Sequence, residues 1–198
     1  MRPRGEVIGS AGFGLKQDDV SWAANQEVAS IGARGEEATA KILNQIASRP
    51  GGPTVLHDVA IPIPGFTANI DHIIVSGRKV IIIDTKVWRP AFYWTLFGKT
   101  RRGMERFAPA EKKTMAMAAD HIGSYLAKKG TPARILLPQV WVWPSSQRSK
   151  MSVWAMQIPH AKTINGQVAS ARALKSKYQT ADPSIVVALV PLVASIDA

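Results

Sequence analysis

The sequence predicts an α/β fold in which a mixed central β-sheet is flanked by helices. Apolar residues recur with helical spacing from about Arg34 to Ser48, and three segments with strand character follow. The third segment, Lys79 to Val87, is apolar on both faces, as expected for a central strand covered on each side. A long helical segment, further strands and another helix complete the alternation of helices and strands along the chain.

The composition is that of a globular chain with a strongly basic balance. The 198 residues fit one domain, for which we predict residues 31–198, preceded by an N-terminal extension over residues 1–30. Lys and Arg outnumber Asp and Glu by 25 to 14, which gives a net charge of +11. Such an excess favours a polyanionic partner, either nucleic acid or an anionic membrane surface.

The chain contains no cysteine. This excludes disulfides, Cys-based zinc sites and thiol nucleophiles, and it suits the cytoplasm, which is the expected location. The first residues lack the apolar region of a secretory signal. The late apolar stretch Ile185 to Ile196 is too short for a spanning helix and contains Pro191, so we predict a buried strand there and no membrane insertion.

The N-terminal segment is predicted to lead into helices. Glycine-rich residues 1–20 lack periodicity and are expected to form a flexible arm. Asp18 or Ser21 is suited to cap a first helix. A second helix, from Arg34 to Ser48, ends at the Pro- and Gly-rich residues 49–53.

The three predicted strands cover residues 54–61, 68–76 and 79–87. Gly77 and Arg78 make the tight connection between the last two. A projecting hairpin is predicted over residues 92–107, and the helix after it opens at Pro109 and runs to about Lys129. The remaining predicted elements are strands over 135–143 and 153–157, a helix over 167–177 and the strand at 185–196.

A group of charged residues lies at the ends of two predicted neighbouring strands. Because side chains alternate along a strand, Asp84 and Lys86 project on one side and Thr85 on the other. The turn before the third strand folds it against the second, which brings Asp71 close to Asp84. His72 is expected on the face opposite Asp71, in a structural role.

This group suggests a metal-dependent reaction at a phosphate. Two adjacent carboxylates repel each other unless a cation lies between them, and hard oxygen ligands favour Mg²⁺ or Mn²⁺ over zinc. Glu36, near the start of the preceding helix, is available as a third carboxylate, although a first-turn Glu also suits the helix dipole. The ammonium of Lys86 is suited to position the attacking water or to neutralise charge that develops on the phosphate.

The segments GARGEE and ANIDHIIVSGRKVIIIDTKVW, with the aromatic hairpin and the Pro-initiated helix, resemble the nuclease-related domain, NERD, of the PD-(D/E)xK nuclease superfamily. The resemblance covers about Ile31 to Trp143. It implies a restriction-endonuclease-like mixed central β-sheet flanked by helices and a Mg²⁺- or Mn²⁺-dependent nuclease that hydrolyses phosphodiester bonds in DNA. The active-site residues that it implies are Glu36, Asp71, Asp84 and Lys86.

Two positions depart from the pattern of this family. Asp84 stands where these sequences usually carry Glu, so this ligand is one methylene shorter. Lys112 stands where the family tends to have Gln at the start of the later helix, and Lys contacts phosphate as a point charge.

Basic residues in and after the hairpin are candidates for contact with nucleic acid, because basic and aromatic side chains alternate there. A solvated hairpin over a small aromatic cluster explains the same pattern. The predicted nucleic-acid-binding residues are Lys99, Arg101, Arg102, Arg106, Lys112 and Lys113.

Three functions remain open from the sequence. The first is the nuclease. The second is a catalytically weak or inactive accessory protein that binds nucleic acid on a nuclease scaffold, in DNA transfer, repair or plasmid maintenance. The third is an interaction protein whose surface is merely basic. The oligomeric state is open, and a homodimer is compatible with a double-strand cutter.

Overall fold

The computed structural model describes residues 3–12, 26–111, 114–146, 149–173 and 175–194. Two β-sheets and four α-helices are found within these residues. The strands are β1 (Val7–Ile8), β2 (Thr54–Ala60), β3 (Asn69–Ser76), β4 (Lys79–Trp88), β5 (Phe92–Leu96), β6 (Lys99–Arg102), β7 (Glu105–Arg106), β8 (Arg134–Ile135), β9 (Gln139–Pro144), β10 (Ser152–Ala155) and β11 (Lys162–Asn165). The helices are α1 (Gln26–Ala47), α2 (Thr114–Lys128), α3 (Gly166–Ala173) and α4 (Pro183–Leu189).

The larger sheet has seven strands in the order β1-β2-β3-β4-β9-β11, and β8 also pairs with β4. Strand β3 is antiparallel to both β2 and β4, whereas β1 is parallel to β2, β9 is parallel to β4 and β11 is parallel to β9. The sheet is therefore mixed, with β4 at its centre. This confirms the predicted fold class, a restriction-endonuclease-like α/β architecture.

Hydrophobic residues cover both faces of this sheet. On one face, Leu43 and Ile46 of α1 pack with Ile83 of β4. On the other face, Ile122 of α2 and Ile185 of α4 belong to a cluster that also contains β3 and β4 side chains. Burial on both sides explains the continuous apolar run of β4. We refer to these two faces as the α1 face and the α2 face.

The apolar stretch predicted as a strand at 185–196 is helical over residues 185–192, and residues 195 and 196 lie outside the described residues. It forms α4, followed by a short 3₁₀ turn over Val190–Leu192. The side chain of Asp182 accepts a hydrogen bond from the backbone N–H of Ser184, and Pro183 occupies the first turn of the helix. This Asp-Pro-Ser sequence is typical of a helix N-terminus. It favours a helix over the strand that the apolar run predicts.

Other predicted boundaries also change. Val7 and Ile8 pair in parallel with β2, so this part of the predicted arm belongs to the sheet. The predicted caps Asp18 and Ser21 lie outside the described residues, and α1 begins at Gln26. Pro109 lies within a 3₁₀ turn over Ala108–Glu111, and α2 begins at Thr114.

The strand predicted at 135–143 is two strands, β8 and β9. They are separated by a segment that ends at Pro138, whose ring nitrogen carries no hydrogen to donate to a neighbouring strand. The helix predicted at 167–177 is shorter and spans Gly166–Ala173. Among the described helices, none combines the length and the apolar composition needed to cross a membrane.

The predicted hairpin is confirmed and belongs to a second sheet of four strands in the order β10-β5-β6-β7. Its inner face carries Tyr93, which is completely buried. The ring of Tyr93 lies 5.4 Å from that of Trp88 and 5.1 Å from that of Phe107. This aromatic cluster attaches the small sheet to the end of β4.

Gly35 sets the distance between α1 and β4. A Cβ added there would lie 2.2 Å from Cγ2 of Val87. An alanine normally stabilises a helix by up to about 1 kcal/mol relative to glycine. The clash outweighs this gain, so Gly35→Ala is expected to lower the free energy of unfolding by about 1–3 kcal/mol in urea denaturation. Adding Val87→Ala should restore part of the loss, and simple additivity of the two changes would contradict the proposed contact.

Candidate active site

The candidate site lies where β3 and β4 separate. Their pairing ends at His72 and Ile83, while β4 continues beside β9 and β3 continues beside β2. Asp71 and Asp84 are the next positions on the two strands, one step beyond the last pair. Residues opposite each other in an antiparallel pair share a face, so both carboxylates belong to the α2 face. They lie next to each other at the β3–β4 fork, which is the point where the two strands separate.

The backbone of β4 fixes the position of Asp71. Its Oδ2 accepts a hydrogen bond from the backbone N–H of Thr85, at 2.5 Å. Beyond the last β3–β4 pair, this carboxylate takes the place of a strand partner for that N–H. Burial raises the pKa of Asp71 well above its usual range, and the charges of Asp84 and Glu36 add to the effect against the opposing influence of Lys86.

Lys86 forms an ion pair with Asp84. Its Nζ lies 2.8 Å from both Oδ1 and Oδ2 of the carboxylate. The side chain of Lys86 is 46% exposed and that of Asp84 is 20% exposed. Burial acts to lower the pKa of Lys86, but the carboxylates of Asp84, Asp71 and Glu36 together raise it. Lys86 is therefore a permanently charged donor at this site.

These three residues line a cavity of about 250 Å³. The other side chains around it come from the end of β4, from the 3₁₀ turn and from the start of α2, among them Trp88, Pro109 and Met115. The 3₁₀ turn, the start of α2 and Val140 of β9 thus form much of the cavity wall, while the ends of β3 and β4 supply its charges.

Glu36 approaches from the other side of the sheet. It follows Gly35, which packs against Thr85 and Val87 on the α1 face, and it does not line the cavity. Its pKa is raised from 4.5 to about 7, mainly by burial, while Lys86 lowers it and the charges of Asp58 and Asp84 raise it. Glu36 is therefore coupled to the site by electrostatics rather than by sharing its wall.

No group of three or more Asp, Glu or His side chains within the described residues is arranged to hold a metal ion. The chemistry of Asp71 and Asp84 nevertheless fits a hard divalent cation. Both are carboxylates that line the same cavity, and an ionised carboxylate offers about four lone-pair positions. The hydrogen bond from Thr85 and the ion pair with Lys86 use only part of this capacity.

Residues 31–130 match the family model of the nuclease-related domain, NERD. The chain belongs to the NERD family. The match includes Glu36, Asp71, Asp84 and Lys86, and the general kind to which NERD domains belong is the PD-(D/E)xK superfamily. No curated protein and no solved structure gave a significant match.

In this NERD domain, a buried polar network on the α1 face contacts β4, the strand that carries Asp84 and Lys86. The hydroxyl of Thr85 donates to Oγ1 of Thr39 at 3.0 Å and lies 3.4 Å from Nε2 of His72. Nε1 of Trp143 donates to the same Thr39 oxygen at 2.8 Å. Since the backbone N–H of Thr85 binds Asp71, these contacts on the α1 face hold the residue that orients a site carboxylate.

The network continues into a pair of buried histidines. Nδ1 of His57 lies 2.8 Å from Nδ1 of His72, and Nε2 of His57 lies 2.9 Å from Oδ1 of Asn44. Burial lowers the pKa of His57 to about 4 and lowers that of His72 well below its usual range. Both rings are neutral at physiological pH. His72 is thus a structural residue on the α1 face, as its position in the strand predicts.

Sequence reasoning missed Asp58. This residue is only 7% exposed, has a φ of 54°, and its Oδ1 accepts a hydrogen bond from Nδ2 of Asn69 at 2.7 Å. Its charge helps to raise the pKa of Glu36. The signal was a charged residue within an otherwise apolar strand, which is rare unless the charge has a partner.

The predicted nucleic-acid-binding residues differ in the face of the small sheet that they occupy and in their contacts. Arg101 and Arg102 occupy adjacent positions of β6, so their side chains leave opposite faces of the small sheet. Arg102 is paired with Glu105 at 2.9 Å, whereas Arg101 lies over the ring of Trp94. Lys99 and Arg106 are exposed. Lys112 and Lys113 lie outside the described residues.

Proposed function

We propose that this NERD protein is a divalent-cation-dependent nuclease that hydrolyses phosphodiester bonds in DNA. The observation that carries the proposal is the meeting of Asp71 and Asp84 at the β3–β4 fork, with Lys86 bound to Asp84 beside a cavity. Membership of the nuclease-related family supports the same reaction class.

Asp71 and Asp84 would hold the cation, Mg²⁺ or Mn²⁺, with Glu36 contributing negative potential from the α1 side. When bound, the cation would supply Lewis-acid activation and neutralise charge on the phosphate. The raised pKa values of Asp71 and Glu36 come first from burial and then from neighbouring carboxylate charges, which Lys86 offsets only in part. A bound cation would lower these pKa values, because a nearby positive charge stabilises the ionised carboxylates.

In the reaction, water attacks phosphorus and loses a proton to solvent, the bond from phosphorus to one ester oxygen breaks, and that oxygen takes up a proton from solvent. Lys86 remains protonated and donates hydrogen bonds to the oxygens on which negative charge develops. The contact from Thr85 keeps Asp71 in place during this step, because its N–H is fixed by the strand. Trp88 and Met115 border the cavity and make part of its wall apolar.

A second candidate is an accessory protein that binds nucleic acid without cleaving it. The double contact of Lys86 with Asp84 favours it, because that ammonium occupies a carboxylate that a cation would need. This candidate predicts salt-dependent binding to nucleic acid that is unaffected by Asp84→Ala.

The decisive experiment is incubation of the purified protein with supercoiled plasmid and with linear single strands, in Mg²⁺, Mn²⁺ or EDTA. We expect cleavage with either metal and none in EDTA. Asp84→Ala should abolish it, whereas Lys128→Ala, which removes an exposed charge at the far end of α2, should not. Cleavage that survives Asp84→Ala would point to a contaminant, and binding without cleavage would favour the accessory protein.

A further inference from the structure

The outer face of the small sheet exposes aromatic side chains. Phe92 and Trp94 of β5 lie on the side opposite the buried Tyr93, because side chains alternate along the strand. Phe92 is 45% exposed. Trp154, on the neighbouring strand β10, is 83% exposed, and its ring centroid lies 6.3 Å from that of Phe92. Large aromatic surfaces that remain in water in this way commonly mark binding sites.

The same face carries positive charge. Strand pairing sets Arg101 opposite Trp94, Lys99 opposite Leu96 and Arg106 opposite Arg101, so these three basic residues lie on the outer side. The acidic residue of the hairpin, Glu105, is opposite Arg102 on the inner side and forms an ion pair with it. On β5, β6 and β7, the outer positions therefore carry basic and apolar residues without an acid.

Aromatic and basic groups are also in contact. The guanidinium carbon of Arg101 lies 5.7 Å from the centroid of the Trp94 ring, and Nη1 of Arg101 donates to the backbone oxygen of Met104 at 2.8 Å. Nε1 of Trp94 donates to the backbone oxygen of Gly103 at 2.7 Å. These contacts hold the flat faces of both groups in a fixed orientation, which reduces the entropy lost on binding a ligand.

We propose that this outer face, formed by β10, β5, β6 and β7, binds single-stranded nucleic acid. Unpaired bases stack on Trp154 and Phe92, and the phosphates follow Arg101, Lys99 and Arg106. Bases in a duplex already stack on one another, so their flat faces are not available to such aromatic side chains. The inference rests on the proposed function and narrows its substrate to strands with unpaired bases.

One edge of the small sheet is continuous with a segment of the cavity wall. Four strands spaced about 4.8 Å apart span about 14 Å, which is room for a few nucleotides. Beyond the edge strand β7, the chain passes through Phe107 into the 3₁₀ turn, where Pro109 and Ala110 line the catalytic cavity. The β7 edge of the small sheet is therefore joined through Phe107 to a segment that lines the cavity.

Binding is measured in EDTA, so that cleavage does not interfere, by fluorescence anisotropy of labelled oligothymidylate and of a labelled duplex of about 20 nucleotides. We expect the single strand to bind more tightly. Trp154→Ala should weaken single-strand binding by about tenfold and duplex binding by less than about twofold, and Trp154→Phe should retain most of the affinity. Leu137→Ala, at an apolar residue that is 59% exposed and lies before β9, is the matched control and should change neither. Arg101→Ala should weaken binding and reduce its dependence on salt.

The outcomes separate this inference from the proposed function. Equal binding of Trp154→Ala and wild type to the single strand, or tighter binding of the duplex, would overturn the stacking face while leaving the nuclease proposal intact. Selective loss of single-strand binding in Trp154→Ala would support it even if cleavage were absent. Failure of the wild type to bind either probe in EDTA would overturn the stacking face, while the cleavage assay with Mg²⁺ or Mn²⁺ would still decide the nuclease proposal.

Discussion

Lys86→Met is expected to reduce cleavage at least about a hundredfold, which corresponds to about 3 kcal/mol of transition-state stabilisation. Methionine keeps most of the length of the side chain and removes the charge that Asp84 contacts through both of its oxygens. Single-turnover rates at saturating Mg²⁺ measure the effect on the chemical step. Lys86→Arg should recover part of the activity, since the guanidinium keeps the charge but presents it as a planar fork.

The same substitution has a second consequence that a merely structural lysine would not produce. Without Lys86, the carboxylates of Asp71 and Asp84 lose their nearest positive charge. We therefore expect a lower melting temperature in EDTA and a larger increase on addition of Mg²⁺ than in the wild type. Lys128→Met, at an exposed position of α2, serves as the control and should alter neither quantity. Wild-type cleavage rates in Lys86→Met would exclude this lysine from the reaction.

In EDTA, the free energy of unfolding of the wild type should carry a contribution from Glu36 that decreases as the pH rises from about 4.5 to about 7. The pKa of Glu36 is raised from 4.5 to about 7 in the folded protein, mainly by burial. Between these values the folded state holds more protons than the unfolded state, so stability falls with increasing pH. A shift of this size corresponds to a loss of up to about 3 kcal/mol.

Glu36→Gln should remove this contribution, so that the variant becomes more stable than the wild type at pH 8 in EDTA. Asp71→Asn should act in the same direction, because burial also raises the pKa of Asp71 and an asparagine oxygen can still accept from Thr85. Addition of Mg²⁺ should increase the free energy of unfolding of both variants less than that of the wild type. Urea titrations across the pH range, with and without Mg²⁺, provide the measurement.

Glu37→Gln is the matched control for this experiment. Glu37 neighbours Glu36 on the same helix but is exposed to solvent. Its substitution should leave the difference in the free energy of unfolding between pH 5 and pH 8 unchanged. If Glu36→Gln and Glu37→Gln had equal effects, burial of Glu36 near the site carboxylates would not be the cause of the pH dependence.

Local patterns were sufficient to predict the relation between Asp71, Asp84 and Lys86. Alternation along β4 puts Asp84 and Lys86 on one face, and the two-residue turn at Gly77 fixes the register with β3. Gly77 has a φ of 56°, which suits the first central position of such a hairpin turn. Once that register is set, the position of Asp71 opposite Asp84 follows.

The same approach failed where two local signals competed. The apolar run after Pro183 suits a strand or a buried helix equally well, and the cap formed by Asp182 decides for the helix. The interruption before β9 likewise depends on Pro138, which has no N–H to donate to a neighbouring strand. Neither error changes the pairing of β3 with β4 that places Asp71 beside Asp84.

The sequence by itself therefore determined the class of fold, the central strand and the faces of its charged residues, since each depends on periodicity over a few neighbouring positions. Only the tertiary structure decided that Glu36 reaches the site from the opposite face, that Thr85 is anchored by Thr39 and His72, and that Trp154 lies beside Phe92. These relations join segments far apart in the chain. Packing of the helices and of the second sheet creates them. Periodicity over neighbouring positions does not predict such contacts between distant segments.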